Sequence, residues 1–433
     1  MDRTLTGQTV TLTDGSKINV GKLLGEGGQG CVYEVEHKGE KLALKWYKRQ
    51  PSRAFYENIC KNAQDGAPSQ HFVWPMAVTR IEHDSFGYLM PLRPDNYHDF
   101  ADFRLAKCRF HSFMAITVAA MEICDAFRLL HAQGLSYQDL NDGNFFIDPA
   151  TGHVLICDND NVFPHGQESG ILGKARYMAP EVVSGKKRPD TYSDRFSLSV
   201  ILYMLFCLDH PFEGNNVVRY PCMTEEIECR LFGTELLFMH DPNNDSNRPV
   251  PGVHNNDLVM WPLLPQILRE TFMDEFGQDK LHNPEQRRTE LEWLNVLTRT
   301  RDCLTRCPHC GDETFVTLSA DGNASCIAPR CHRTFHVDHC VHLGTNRRLP
   351  LLPGVQLYFE RDTLPEARVV RKPDDASLLL MQNVSPMPWA VYTPSGKVIA
   401  VEPRGFVPIK AGLSITRQTG VERLFIKSST DNN

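Results

Sequence analysis

The sequence predicts an α+β chain of four parts: a β-rich lobe, a helical lobe, a cysteine-rich insert and a small all-β domain. Three observations predict this. Strand-like runs fill residues 1–92, apolar residues at helical spacing dominate much of 93–300, and six of the fourteen cysteines crowd between Cys303 and Cys340. The expected divisions are therefore 1–92, 93–300, 301–342 and 343–433, in keeping with roughly 100–200 residues per domain.

In the first part, Thr9–Thr13 and Ile18–Leu24 carry β-branched and apolar residues, and Val32–Glu36 and Lys41–Trp46 alternate around the turn His37-Lys38-Gly39. Arg53–Asn62 reads as a short helix stopped by Asp65-Gly66-Ala67-Pro68. From Ser112 to Ala132 the residues Met114, Val118, Met121, Ile123, Phe127 and Leu130 recur at helical spacing, and Gly134 follows as a stop. Phe145–Asp148 and Val154–Cys157 predict a hairpin across Pro149-Ala150-Thr151-Gly152. After Pro180 the pattern is helical to about Arg299. A loop bearing Pro242, Pro249, Pro251, Pro262 and Pro265 interrupts it, because proline cannot donate inside a helix. Short strands return at Gln356–Phe359, Ser377–Met381, Ala390–Tyr392 and Val398–Val401.

Composition sets limits on function. Hydrophobic residues make up 41% and charged residues 23%, which is enough apolar material for a folded core. A net charge of −7 argues against a general nucleic-acid binder. The N-terminal MDRTLTGQTVTLTDG lacks the apolar stretch of a secretory signal, and the run Leu198–Leu208 is too short to cross a bilayer. The expectation is a cytoplasmic protein without membrane or nucleic-acid partners.

Gly25-Glu26-Gly27-Gly28-Gln29-Gly30-Cys31-Val32 fits G-x-G-x-x-G-x-V. Glycines serve where a backbone must approach phosphates with no Cβ in the way. A strand follows and not a helix, which disfavours a dinucleotide fingerprint and favours a hairpin covering phosphates. Lys45 lies in the next strand, Leu42-Ala43-Leu44-Lys45, which resembles the Val-Ala-Ile-Lys strand of protein kinases; the resemblance makes Glu57, on the short helix, the expected carboxylate that orients it. Tyr137-Gln138-Asp139-Leu140-Asn141-Asp142-Gly143-Asn144 has the spacing D-x-x-x-x-N, and Asp158 follows fourteen residues after Asn144. Asp139 can accept a hydroxyl proton, while Asn144 and Asp158 offer hard oxygen ligands to Mg²⁺.

These segments, in this order, resemble the protein kinases over about residues 15–300. Met178-Ala179-Pro180-Glu181 is similar to the motif closing their activation segment, and Ser193-Asp194-Arg195-Phe196 to the start of their central helix. Asn283-Pro284-Glu285-Gln286-Arg287 is similar to their late arginine motif. The resemblance implies a bilobal kinase fold using ATP and Mg²⁺. It places the nucleotide on Leu24, Gly25, Gly27, Gly30, Val32, Ala43, Lys45, Met90 and Phe146. It also implies that Asp194 braces the catalytic loop and that Glu181 pairs with Arg287.

Three departures stand out. Gln138 replaces the catalytic-loop arginine that receives an activation-segment phosphate, so activity should not depend on phosphorylation there; between Asn159 and Arg176 only Ser169 could accept it. Asn141 replaces a lysine and removes a cation from the transferring phosphoryl, a change that can cost on the order of 100-fold in rate. Asp158-Asn159-Asp160 stands in place of Asp-Phe-Gly.

In the insert, Cys307-Pro308-His309-Cys310 and Cys326-Ile327-Ala328-Pro329-Arg330-Cys331 flank fifteen residues, the pattern of a four-thiolate Zn²⁺ ribbon of structural role. Cys303, His332, His336, His339 and Cys340 lie near enough to leave the ligand set open. The final residues suggest a small sandwich-like β module for protein contacts. The whole combination resembles bacterial kinases found beside von Willebrand A-type proteins and PP2C-type phosphatases, which the resemblance makes expected partners. The expected activity is phosphoryl transfer from ATP to a protein hydroxyl, Ser/Thr-directed, with Asp139 as base. The alternatives are a nucleotide-binding pseudokinase scaffold and, disfavoured by charge, a nucleic-acid-binding ribbon.

Overall fold

The computed structural model describes residues 5–49, 52–82, 84–167, 173–343, 347–358, 361–362, 364–417 and 423–431. Ser169, the one residue between Asn159 and Arg176 that could accept a phosphate, and Phe359, the end of an expected strand, lie outside the described residues.

The first lobe is a six-stranded antiparallel sheet in the order β1-β2-β3-β4-β6-β5. Its strands are β1 (Thr9–Thr11), β2 (Lys17–Glu26), β3 (Gly30–His37), β4 (Glu40–Tyr47), β5 (Ala77–Val78) and β6 (Gly87–Pro91). Lys38 and Gly39 both have positive φ, 53° and 84°, so the β3–β4 hairpin turns in the left-handed sense that suits strand twist. Helix α1 (Arg53–Asp65) begins at Ser52, whose side chain accepts from Phe55 N, and buries Phe55, Ile59 and Asn62. Those positions recur every three to four residues, which defines the inward face of the helix.

The second lobe is built on two long helices, α3 (Phe113–Ala132) and α5 (Thr191–Cys207), the first preceded by the short α2 (Phe100–Arg104) and the second by the short α4 (Pro180–Val183). Every α5 residue from Phe196 to Cys207 is buried, and its neighbours include Phe127, Phe212, Phe272 and Trp293. The expected proline-rich interruption is shorter than its prolines suggested: residues 235–254 are helix-free, but Asn255–Met260 is helical, Pro262 sits in the 3-10 turn Trp261–Leu263 where a helix start tolerates it, and Pro265 N-caps the helix Gln266–Glu275. Short strands frame the loop 137–144: β7 (His98–Asp99), β8 (Leu135–Ser136), β9 (Phe145–Ile147), β10 (Val154–Ile156) and β11 (Phe163–Pro164).

The cysteine-rich insert is two small hairpins, β12 (Leu304–Arg306) with β13 (Glu313–Phe315), and β14 (Asn323–Ser325) with β15 (Thr334–His336). Beyond it lie a six-stranded and a four-stranded sheet. In the six-stranded sheet, His339–Leu343 pairs with Arg423–Ser428, so this strand straddles the expected division at 342/343. One core joins the insert to these sheets, from Cys307, Cys326 and Phe335 to Trp389, Ile415 and Ile426. The insert also packs on the helical lobe. Glu313 Oε2 accepts from Phe113 N at 2.6 Å, at the start of α3, and the Phe113 and Phe315 rings meet edge to face at 5.0 Å. Among the described residues no helix is long and apolar enough to cross a membrane.

Candidate active site

The cleft between the lobes is assembled by strand register. Val32 pairs with Lys45 across β3–β4, and Ala43 pairs with Met90 across β4–β6, so the expected nucleotide-facing residues lie in adjacent rows. The glycines of the loop have two different reasons to be glycine. A Cβ on Gly30 would sit 2.4 Å from the Trp46 carbonyl oxygen, so sheet packing alone requires glycine there. Gly25 and Gly28 face open space, and Leu24 is exposed at the same rim. Phe146, on β9, is covered by the Arg93 guanidinium 4.3 Å from its ring centre.

The β9–β10 hairpin explains the spacing between Asn144 and Asp158. Phe145 pairs with Ile156, and one step further Cys157 N donates to Asn144 O at 2.8 Å, which brings Asp158 beside the end of the catalytic loop. The loop itself is held by Asp194 at the start of α5. Its two oxygens accept from Tyr137 N at 2.6 Å and Gln138 N at 3.0 Å. This pins Gln138 in a left-handed conformation, φ 67°, unusual for a non-glycine residue. Gln138 Nε2 donates to Ser136 Oγ at 3.0 Å and, across 29 residues, to Gln167 O at 2.5 Å, so a neutral amide and not a cation ties the loop to the segment after Asp158. On the far side, Arg287 grips Glu181 through two parallel bonds of 2.8 and 2.7 Å, and Arg287 is buried. Removing either partner of such a buried pair costs about 3–5 kcal/mol.

Asn141 and Asn144 close a small capping box: Asn141 N donates to Asn144 Oδ1 at 2.6 Å, and Gly143 N donates to Asn141 Oδ1 at 3.1 Å. Asn141 Nδ2 donates to Asp139 O at 3.1 Å and lies 3.4 Å from Asp139 Oδ1, while Asn161 Nδ2 approaches Asp139 Oδ2 at 3.3 Å. Burial raises the Asp139 carboxyl, the nearby Asp158 charge raises it further, and Lys174 and Asn141 draw it down; the result is about 6. That value suits a group that must be ionised to take a proton near neutral pH.

Lys45 is the most constrained cation of the cleft. Its Nζ lies 2.7 Å from Asp160 Oδ2 and 3.0 Å from Asp158 Oδ1, and Tyr47 OH donates to the same Asp160 oxygen at 2.7 Å. Burial alone favours the neutral amine, but Asp160, Tyr88 and Asp158 outweigh it and hold the ammonium well above its ordinary pKa. Asp160 is fully buried, whereas the Asp158 side chain is 55% exposed and open to a cation from solvent.

The structure does not bring Glu57 to Lys45. Glu57 pairs with Arg53 one turn earlier at 2.8 Å and is 61% exposed. The reason is helical phase: Phe55, Ile59 and Asn62 define the buried face of α1, and Glu57 lies two residues, roughly 200°, from Phe55. The cleft-facing polar groups of α1 are amides instead, Asn58 and Asn62, both donating to Val162 O. The carboxylate that Lys45 needs comes from Asp160. Its sequence signal was the second aspartate of Asp158-Asn159-Asp160. Asn159, where a phenylalanine was expected from the resemblance, is buried and donates to Val73 O and Ile156 O.

The four cysteines Cys307, Cys310, Cys326 and Cys331 have sulfurs within 4.8 Å of one another, with Cys307–Cys331 and Cys310–Cys326 each at 3.8 Å. A tetrahedron with metal–sulfur bonds of about 2.3 Å has S···S edges of roughly 3.8 Å, so the set fits one metal ion. Each pair has the same amide support: His309 N donates to Cys307 Sγ and Ala328 N to Cys326 Sγ, both at 3.4 Å. Two of the neighbouring candidates have other partners. Cys340 Sγ contacts Ser428 O, and His336 Nδ1 contacts Asn323 Oδ1.

Comparison with known proteins agrees with this geometry. Residues 18–230 match the family model of the protein kinase domain. The chain is 34% identical over 205 residues to protein kinase C delta type of Mus musculus, covering 45% of this chain and 30% of that protein. It is 29% identical over 168 residues to serine/threonine-protein kinase Sgk1 of Danio rerio, covering 38% and 35%. A Corynebacterium efficiens protein named "Probable serine/threonine-protein kinase" is 24% identical over 233 residues, covering 50% and 35%. The chain thus spans about a third of the length of these relatives.

Proposed function

We propose that this chain is an ATP- and Mg²⁺-dependent protein kinase that transfers the γ-phosphoryl group to a Ser/Thr hydroxyl. The observation that carries the reading is the convergence of Lys45, Asp139, Asn144 and Asp158 on one cleft, with the loop bearing Asp139 fixed by Asp194. Phosphoryl transfer asks little covalent chemistry of the protein and much positioning. Asp139 orients the acceptor hydroxyl and takes its proton. Asp158, exposed to solvent, and Asn144 hold Mg²⁺, which when bound neutralises charge between the phosphates. Lys45 leaves the aspartates in part to meet the α- and β-phosphates, and Asp160 keeps its stem aligned. The four thiolates hold a structural Zn²⁺. The C-terminal sheets offer a surface to protein partners, among which von Willebrand A-type and PP2C-type proteins are proposed from the sequence resemblance.

The test is transfer of labelled γ-phosphate, with Mg²⁺, to the protein itself and to a basic acceptor protein. Asp139→Asn and Asp158→Ala should each abolish incorporation while the proteins still melt cooperatively. A folded wild type that binds nucleotide and transfers nothing would replace the enzyme with a scaffold.

A further inference from the structure

The geometry points to Lys174 as the cation that faces the transferring phosphoryl group from the acceptor side, in the position that the neutral Asn141 leaves vacant. The inference rests on the kinase reading of the cleft and adds a residue to it.

The charges around Asp139 make the case. The cleft carries three carboxylates, Asp139, Asp158 and Asp160, and Lys45 is committed to the last two at 3.0 and 2.7 Å. Beyond Asp139, Asp142 is met by Arg104 at 2.5 Å. Lys174 occupies the remaining side. Its Nζ donates to Asn141 Oδ1 at 3.1 Å, and Asn141 Nδ2 in turn reaches Asp139 O and, at 3.4 Å, Asp139 Oδ1. Of the cations around the Asp139 carboxyl, Lys174 is the one that acts on it most strongly.

The ammonium is placed but not spent. Lys174 O accepts from Tyr177 N at 2.9 Å and from Met178 N at 3.3 Å, which fixes the backbone. The preceding Gly173 lets the segment lie against the catalytic loop, since a Cβ there would stand 3.1 Å from Asp139 Oδ1. Asp142, the acid within ion-pair distance of it among the described residues, is 3.9 Å away and already held by Arg104, and the Lys174 side chain is 60% exposed. It lines a cavity of about 700 Å³ beside the loop, together with Arg104, Arg176, Met178, Glu225 and Glu228. An acceptor segment seated there brings its hydroxyl between Asp139 and Lys174.

A loose phosphoryl-transfer transition state spreads negative charge over the equatorial oxygens, and a pre-placed cation stabilises that charge more than it stabilises bound substrate. Removing one such group lowers kcat by about 100-fold or more.

The experiment measures steady-state phosphate transfer by the full chain for wild type, Lys174→Met, Lys174→Arg and the double variant Asn141→Lys/Lys174→Met. The expected result is a kcat about 100-fold lower in Lys174→Met with KM for ATP within about twofold, and substantial recovery both in Lys174→Arg and in the double variant. Recovery from the neighbouring position separates a charge requirement from a merely structural tie, and thermal melting confirms that each variant is folded. A Lys174→Met enzyme within about threefold of wild type in kcat, or a loss confined to KM, overturns the role of Lys174 and leaves the kinase reading standing. A folded wild type that transfers no phosphate removes that reading, and Lys174 with it.

Discussion

Lys45 and Asp160 meet at 2.7 Å inside the cleft, and the Tyr47 hydroxyl donates to the same carboxylate oxygen. The lysine is thus oriented from within the segment that carries Asp158 and Asp160, and not from helix α1. In this arrangement the ion pair of the cleft is complete without a carboxylate from α1.

Asp160→Asn keeps the shape and removes the charge, so the Lys45 ammonium loses its strongest partner. The expected outcome is a fall in transfer rate on the order of 100-fold, the usual scale for a misplaced positioning group. Glu57→Gln should stay within about twofold, since its carboxylate only pairs with Arg53 on the surface. Steady-state kinetics on the two variants decide the matter, and the reverse ranking returns the role to Glu57.

The Asp139 carboxyl, raised to about 6, gives a pH dependence of definite sign. The base works when ionised, so kcat/KM falls as pH drops through about 6, by roughly tenfold for each unit below it. Because kcat/KM reports the free enzyme, the midpoint reflects burial and the Asp158 charge before nucleotide binds. A profile flat down to pH 5 contradicts this environment for Asp139.

Stripping metal from the four-cysteine cluster should destabilise the C-terminal third of the chain. Cys307 and Cys326 belong to the same core as Trp389 and Ile426, so losing the ion loosens more than two hairpins. Metal analysis should give one Zn²⁺ per chain, and a chelator or Cys326→Ser should lower the melting temperature of that region by several degrees. Unchanged melting after complete metal removal would falsify a structural role.

What could be read from the sequence was whatever short spacings encode. Asp139, Asn144 and Asp158 were legible because one loop and one hairpin relate them, and Asn144 and Cys157 meet by simple register. The cysteine tetrad was legible for the same reason. Glu57 misled because a single acid on a helix reveals nothing of helical phase; the buried positions Phe55, Ile59 and Asn62 reveal it. Asp160 and Lys174 stayed hidden because their partners, Lys45 and Asn141, lie 115 and 33 residues away. The junction near residue 342 was blurred because His339–Leu343 takes its partner from the very end of the chain.

The bond from the Phe113 amide to Glu313 spans 200 residues. A chain emerging from the ribosome at about 5–20 residues per second therefore waits on the order of 10–40 s between the two ends of that contact. For that interval the first turn of α3 carries an amide and an aromatic ring whose cover has not yet been synthesised. Completion of the helical lobe is in this respect a late event of biosynthesis, timed by the arrival of the cysteine-rich hairpins.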